Sequence, residues 1–145
     1  METGAHIRLV LWKAAKAVER VDRASIADVG LQITEFAILE ALLHKGPLTI
    51  TAIGEKVLLT SGSMTAAINR LEKKDLVKRV QDPSDGRYFY VHLTDAGRLA
   101  IEGAFEKHKQ NLEKVTAALT HAEREQLVNL LKKLGRQADQ IQFSV

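Results

Sequence analysis

The residues whose types and spacing could do chemistry lie between positions 61 and 87. The segment SGSMTAAINRLEK, residues 61–73, carries hydroxyls at Ser61, Ser63 and Thr65, an amide at Asn69 and cations at Arg70 and Lys73. At about 100° per residue, Gly62, Thr65, Ala66, Asn69, Arg70 and Lys73 fall on one arc of a helix, and Met64, Ala67, Ile68 and Leu71 on the other. The first arc is small at its start and basic at its end. Such a slim face suits close approach to a DNA major groove, with the N-terminal residues at base edges. Ser61 and Ser63 would sit where helix N–H groups favour a phosphate. Thr65 and Asn69 would hydrogen-bond base edges, Ala66 would touch a thymine methyl, and Arg70 and Lys73 would reach a guanine edge or a phosphate. A solvated amphipathic helix with a Ser cap has the same pattern, so a second feature must decide.

That feature is DPSDGR, residues 82–87. Pro in second place and Asp-Gly at the end mark a tight turn. The turn places Arg87 beside Asp85 at the end of a thin protrusion. An arginine there suits a narrow minor groove, where negative potential is enhanced, and Asp85 would orient the guanidinium by a charge-assisted hydrogen bond. An exposed ion pair of small energetic value is the plainer alternative. Lys78 and Arg79 add charge on the preceding segment, so helix, strand and tip together form a basic surface with two groove-reading parts.

Other chemistries find less support. The chain has 145 residues, a formal net charge of +3 and no cysteine, so disulfides, thiolate metal sites and thiol-based sensing are excluded. It contains no phosphate-binding glycine loop, no GxSxG and no HExxH, and no catalytic role is expected. His6, His44, His92, His108 and His121 show no close ligand spacing; a metal site would have to assemble in space, for example around His108 with Glu102 or Glu106. No cofactor is expected. The apolar run from Leu9 to Trp12 is cut by Lys13 and Lys16, short of the 7–15 residues of a secretory segment and the roughly 20 of a membrane span. A cytoplasmic location without membrane association is expected.

The elements that must position these groups follow from periodicity and caps. Residues 5–27 carry a helical apolar stripe through Ile7, Val10, Leu11, Ala14, Val18 and Val21. Thr34 is expected to cap a helix that Gly46-Pro47 ends, and Thr49 to cap a short helix over 50–58, followed by a break at 59–61. After Asp75, residues 76–81 and 87–93 are expected to form a hairpin, with Phe89, Val91 and Leu93 facing inward. Thr94 would cap a long helix, and T-H-A-E at 120–123 is a capping box opening a last one. The fold expected is mainly α with a small β-hairpin wing, a winged helix-turn-helix with long terminal helices. It is read as one domain over 1–145, with a DNA-binding core at 32–98 and dimerisation helices at 5–27 and 99–141. The apolar stripes of the terminal helices exceed what so small a core needs, so a homodimer is expected.

The stretch SGSMTAAINRLEKKDLVKRVQDPSDGRYFYVHLTDAG resembles the DNA-binding core of the MarR family of bacterial transcriptional regulators. The shared wing pattern is Asp82, Asp85, Arg87, Leu93 and Thr94. Asp75 stands where that family usually has Gly; the position calls for a left-handed backbone, which Asp tolerates better than most residues. The resemblance implies a homodimeric regulator of double-stranded DNA, expected to be a ligand-responsive repressor on a pseudo-palindromic operator. It also implies a small phenolic or carboxylic effector between the dimer helices and the DNA-binding part. Trp12 and Lys16 would supply an aromatic wall and a cation, and Phe36, Phe105 and His108 the opposite side. The LLHKGP segment resembles family members that respond to quinone-like or phenolic compounds. A protein-interaction scaffold and a metal-responsive regulator of the same fold are the alternatives.

Overall fold

The computed structural model describes residues 2–57 and 61–143, in two compact units, Met1–Asn111 and Leu112–Val145. The elements are α1 (Gly4–Ile26), a 3₁₀ turn (Ala27–Val29), α2 (Ile33–Lys45), β1 (Leu48–Thr49), α3 (Ile50–Val57), α4 (Ser61–Lys73), β2 (Val77–Gln81), β3 (Phe89–Leu93), α5 (Asp95–Thr116) and α6 (His121–Gln140). This is the expected class, helical with a small winged sheet. The break expected at 59–61 falls mostly outside the described residues; Ser61 is already helical.

The core of the first unit is built on α2, α3 and α4. Ile38 and Leu39 of α2, Ile53 of α3, and Ala67, Ile68 and Leu71 of α4 are fully buried, with Met64 almost so. Val77 and Val91 of the sheet and Ile101 and Ala104 of α5 close the cluster. Burying a side chain of the Leu or Ile class is worth about 1.5–3 kcal/mol, so this apolar contact fixes the seat of α4.

Two expectations are corrected. Thr34 does not cap α2; it lies inside the helix, and Gln32 is the cap. Gln32 and Glu35 form a reciprocal capping box, and the Gln32 N–H donates to Glu35 Oε1 at 3.0 Å. That box satisfies two terminal N–H donors where a lone Thr hydroxyl would satisfy one. Phe89 does not face a core: it is exposed, whereas Val91 on the same face is buried. The hairpin outruns the helices towards its tip, so the alternation persists with nothing there to bury it.

The sheet also holds a strand that periodicity does not reveal. Leu48 and Thr49 pair antiparallel with Val91 and Tyr90, giving the order β1-β3-β2. Two residues are too few for alternation to show. Thr49 serves twice, pairing in the sheet and accepting the Ala52 N–H at 3.2 Å as the cap of α3.

Asp75 is the one non-glycine residue with positive φ, at 59°, among the described residues. The Leu76 N–H donates to Leu71 O at 3.0 Å and the Asp75 N–H to Glu72 O at 2.9 Å, the paired bonds of a left-handed helix end. The Thr94 hydroxyl then donates to Asp75 O at 2.7 Å and accepts the Gly97 N–H at 3.0 Å. One hydroxyl thereby ties the end of α4 to the start of α5. Gly97 makes that crossing possible: a Cβ there would lie 1.9 Å from the Leu76 carbonyl oxygen.

In the second unit, Thr120 and Glu123 form the expected capping box at α6. Arg124 binds the Thr116 carbonyl at 3.1 Å and Glu113 at 3.0 Å. Leu127, Leu130, Leu131 and Leu134 of α6 are all exposed, Leu130 by 63%. In the first unit, Ile7, Val10, Leu11 and Trp12 of α1 are exposed as well. No helix among the described residues is long and apolar enough to cross a membrane.

Candidate nucleic-acid interface

Helix α4 divides as its sequence pattern requires. Met64, Ala67, Ile68 and Leu71 face the core, and Gly62, Ser63, Thr65, Ala66, Asn69 and Lys73 are exposed on the other side. The side chain of Ser61 lies outside the described residues. The basic members are less free than the wheel suggests. Arg70 is half-buried and turns back, its terminal nitrogen 3.4 Å from Gln32 Oε1, while its Nε is buried without a hydrogen-bond partner among the described residues. Arg79 reaches from β2 across α4, donating to Asn69 Oδ1 at 2.8 Å and lying 3.3 Å from Glu72 Oε1. Thr65, Ala66 and Asn69 form an exposed strip, with Arg79 at the Asn69 oxygen and Lys73 beyond it.

The wing carries its own scaffold. The Asp82 N–H donates to Tyr88 O at 2.9 Å, the Tyr88 N–H to Asp85 O at 3.1 Å, and Asp82 Oδ1 accepts the Ser84 N–H at 2.7 Å. Gln81 donates across the turn to Gly86 O at 2.8 Å. At the tip, Asp85 takes Arg87 in a fork, Nε to Oδ1 at 3.0 Å and a terminal nitrogen to Oδ2 at 2.7 Å, and also accepts the Arg87 N–H at 3.1 Å. These bonds hold the Asp85 carboxyl below the usual aspartate range, the guanidinium fork contributing most. The Arg87 side chain is still 83% exposed. It is a fixed charge at the end of a protrusion, 5.9 Å from the Tyr88 ring centre.

The chain that carries this slim helix face and arginine-tipped wing is similar to known proteins. The model of the MarR family matches residues 31–89. The HTH-type transcriptional regulator YkoM of Bacillus subtilis is 37% identical over 132 residues, 89% of this chain and 86% of its own. The regulator MhqR of the same organism is 33% identical over 139 residues, 96% of each chain. This chain belongs to the MarR family of transcriptional regulators. Among solved structures, Bordetella bronchiseptica BpsR, described as regulated in its DNA binding by 6-hydroxynicotinic acid, superposes with a TM-score of 0.81. It is 26% identical, covering 92% of this chain and 94% of that one. YkoM and MhqR are both transcriptional regulators of the helix-turn-helix type.

Of the residues expected around an effector in this MarR-family chain, Phe36 and His108 are in ring contact. Trp12 is 53% exposed on α1 and makes no ring contact among the described residues. Lys16 lies 3.5 Å from Glu19. Phe36 is buried and meets the His108 ring edge-on, with centres 4.9 Å apart. Phe105 is half-buried and packs on His44 at 4.7 Å. The Nδ1 of His108 is buried, has no hydrogen-bond partner among the described residues and lies 3.5 Å from Asp22 Oδ1. Burial pushes the Asp22 carboxyl up, with His108 opposing. Among the described residues no three potential ligands gather as a metal site, and Glu102 lies 3.8 Å from Arg98.

Sequence reasoning missed His44, Asp22, Glu35 and Lys74. The i, i+8 spacing of Phe36 and His44 and the i, i+3 spacing of Phe105 and His108 hint at two aromatic–imidazole rungs between α2 and α5. Nothing local points to Asp22. Glu35 is fully buried, and its Oε2 lies 2.8 Å from Lys74 Nζ, which also donates to Gly30 O at 3.1 Å.

Proposed function

We propose that this regulator is a homodimeric, ligand-responsive repressor that reads a pseudo-palindromic operator. The observation that carries the reading is the exposed strip of α4 beside a rigidly held Arg87. Thr65, Ala66 and Asn69 would read base edges in the major groove, with Ser61, Gly62 and Ser63 at the phosphate near the helix start. Lys73 would add a phosphate contact. Arg87, oriented by Asp85, would enter the minor groove. Arg70 and Arg79 reach DNA in this reading only at the edge of the surface, since both are engaged within the protein.

The exposed apolar residues of α1 and of α6 favour a second copy: Leu127, Leu130, Leu131 and Leu134 repeat at helical spacing and are exposed. A two-fold pair then presents two recognition helices and two wings to two half-sites. Regulation by a small aromatic acid or phenol is supported by BpsR, whose DNA binding responds to 6-hydroxynicotinic acid. In this chain Phe36, Phe105 and His108, with Trp12 and Lys16 of α1, are the groups suited to such a molecule.

Selection of bound sequences from a random-duplex library at moderate salt, read by fluorescence anisotropy, tests the reading. It expects enrichment of a pseudo-palindrome, with affinity falling steeply as salt rises. Absence of binding at low salt would overturn it. Sedimentation of a monomer at micromolar concentration would remove the dimer.

A further inference from the structure

Arg79 does more to Asn69 than sit beside it. A guanidinium has only donors, so the atom of Asn69 that lies 2.8 Å from Arg79 must be the amide oxygen. This contact fixes which way the amide is turned, a choice that is otherwise ambiguous in a side-chain amide. The oxygen faces β2. The Nδ2 group has no partner among the described residues, and Asn69 is exposed on the strip of α4. Arg79 is held in turn by Glu72, 3.3 Å from its Nε and one turn along α4 from Asn69. The three side chains form a brace from β2 to the outer face of the helix.

From this geometry we infer that Arg79 is a positioning residue that makes Asn69 a hydrogen-bond donor in base reading, selecting guanine and disfavouring adenine. The inference rests on the proposal that α4 reads DNA. A free asparagine recognises adenine with both ends of its amide, the oxygen accepting from N6 and the nitrogen donating to N7. Here the oxygen already accepts a charged donor. It is a weaker acceptor for a second one, and the guanidinium beside it repels an approaching amino group. Guanine presents two acceptors, O6 and N7, and no major-groove donor. Its edge matches the Nδ2 group and the nearby positive charge together, whereas cytosine offers its N4 donor to an oxygen whose remaining acceptor site lies beside a guanidinium.

The test is selection from a random-duplex library by the full-length protein, by Arg79→Met, by Asn69→Ala and by the double variant. The wild-type motif is expected to contain a guanine that Asn69→Ala flattens. Arg79→Met is expected to shift that one position from guanine towards adenine by about fivefold or more, the scale of a bidentate base contact. The double variant should match Asn69→Ala at that position, because Arg79 acts through Asn69. Asn69→Asp keeps the pair with Arg79 and removes the donor, so it should lose the guanine preference even if Arg79→Met does not fold. A motif unchanged in Arg79→Met, a uniform loss of affinity without a change of preference, or guanine retained by Asn69→Asp overturns the inference alone. A wild-type protein that enriches no sequence overturns the DNA-reading proposal and this inference with it.

Discussion

Lys74 places its ammonium nitrogen 2.8 Å from Oε2 of Glu35, a carboxylate with no solvent exposure. The pair joins the end of α4 to the start of α2, and the Gly30 carbonyl, 3.1 Å from the same ammonium, extends the joint to the turn after α1. The other Glu35 oxygen accepts the Gln32 N–H, and Gln32 also receives Arg70. The tail of α4 is therefore seated on a polar platform, while its front half rests on apolar core.

Removing one member of this joint leaves a charge without its partner. Lys74→Met should destabilise the fold by about 2 kcal/mol, below the 3–5 expected for a fully buried pair because the lysine is partly exposed. Glu35→Gln, which keeps a hydrogen-bonding group, should cost less. Urea unfolding of both variants checks the order; equal costs near zero would remove the joint from the stability account.

Gly97→Ala should cost about 1–3 kcal/mol or more, because the new methyl meets a backbone carbonyl that cannot swing aside. The unfolding temperature should fall with it. A neutral result would mean that α5 can lift from Leu76 without loss.

Asp75→Gly should stabilise the protein by about 0.5 kcal/mol, the relief of a left-handed residue of roughly 1–2 kcal/mol being partly offset by the freer unfolded chain. Denaturation midpoints for Asp75→Gly and Asp75→Ala should bracket the wild type, with Ala the least stable.

Arg87→Ala should weaken operator binding by about 1–3 kcal/mol, mostly through A·T-rich flanks. Asp85→Asn should weaken it less, by loosening the fork. Because the Asp85 carboxyl is held below its ordinary value of 3.8, this pair's contribution is present above that value and is lost only as pH falls through the lowered one. Operator affinity at pH 6 and pH 8 should show no change attributable to it. Unchanged affinity in Arg87→Ala would take the wing out of the mechanism.

Asp22 runs the other way. Its carboxyl is raised above 3.8 by burial, so ionising it costs more in the folded protein than in the unfolded one. Its relative contribution is fully favourable below 3.8 and is lost as pH rises through the raised folded value. Asp22→Asn should remove that loss, and the difference in melting temperature between variant and wild type should grow in the variant's favour across this window. A difference that stays flat with pH would contradict the assignment of burial as the cause.

What the sequence determined by itself was whatever interactions of short reach determine. The arcs of α4, the Thr120 box, the turn at DPSDG, the Asp85–Arg87 pair and the left-handed backbone at Asp75 all involve residues within about one helical turn or one hairpin end of each other. For these, spacing alone carries the physics. Even here a nearby competitor changed the outcome at α2, where Gln32 and Glu35 displaced Thr34 as the cap. The tertiary structure decided which polar groups of the same stretch remain free. Arg70 and Arg79 sit on the sequence pattern as DNA contacts, yet Gln32 and Asn69 claim them once β2 and the start of α2 are brought against α4. Glu35 finds Lys74 39 positions away, and Asn111 reaches Ser25 across 86. No periodicity encodes such pairs, because their energy depends on burial and on distances that exist only after the apolar core has closed.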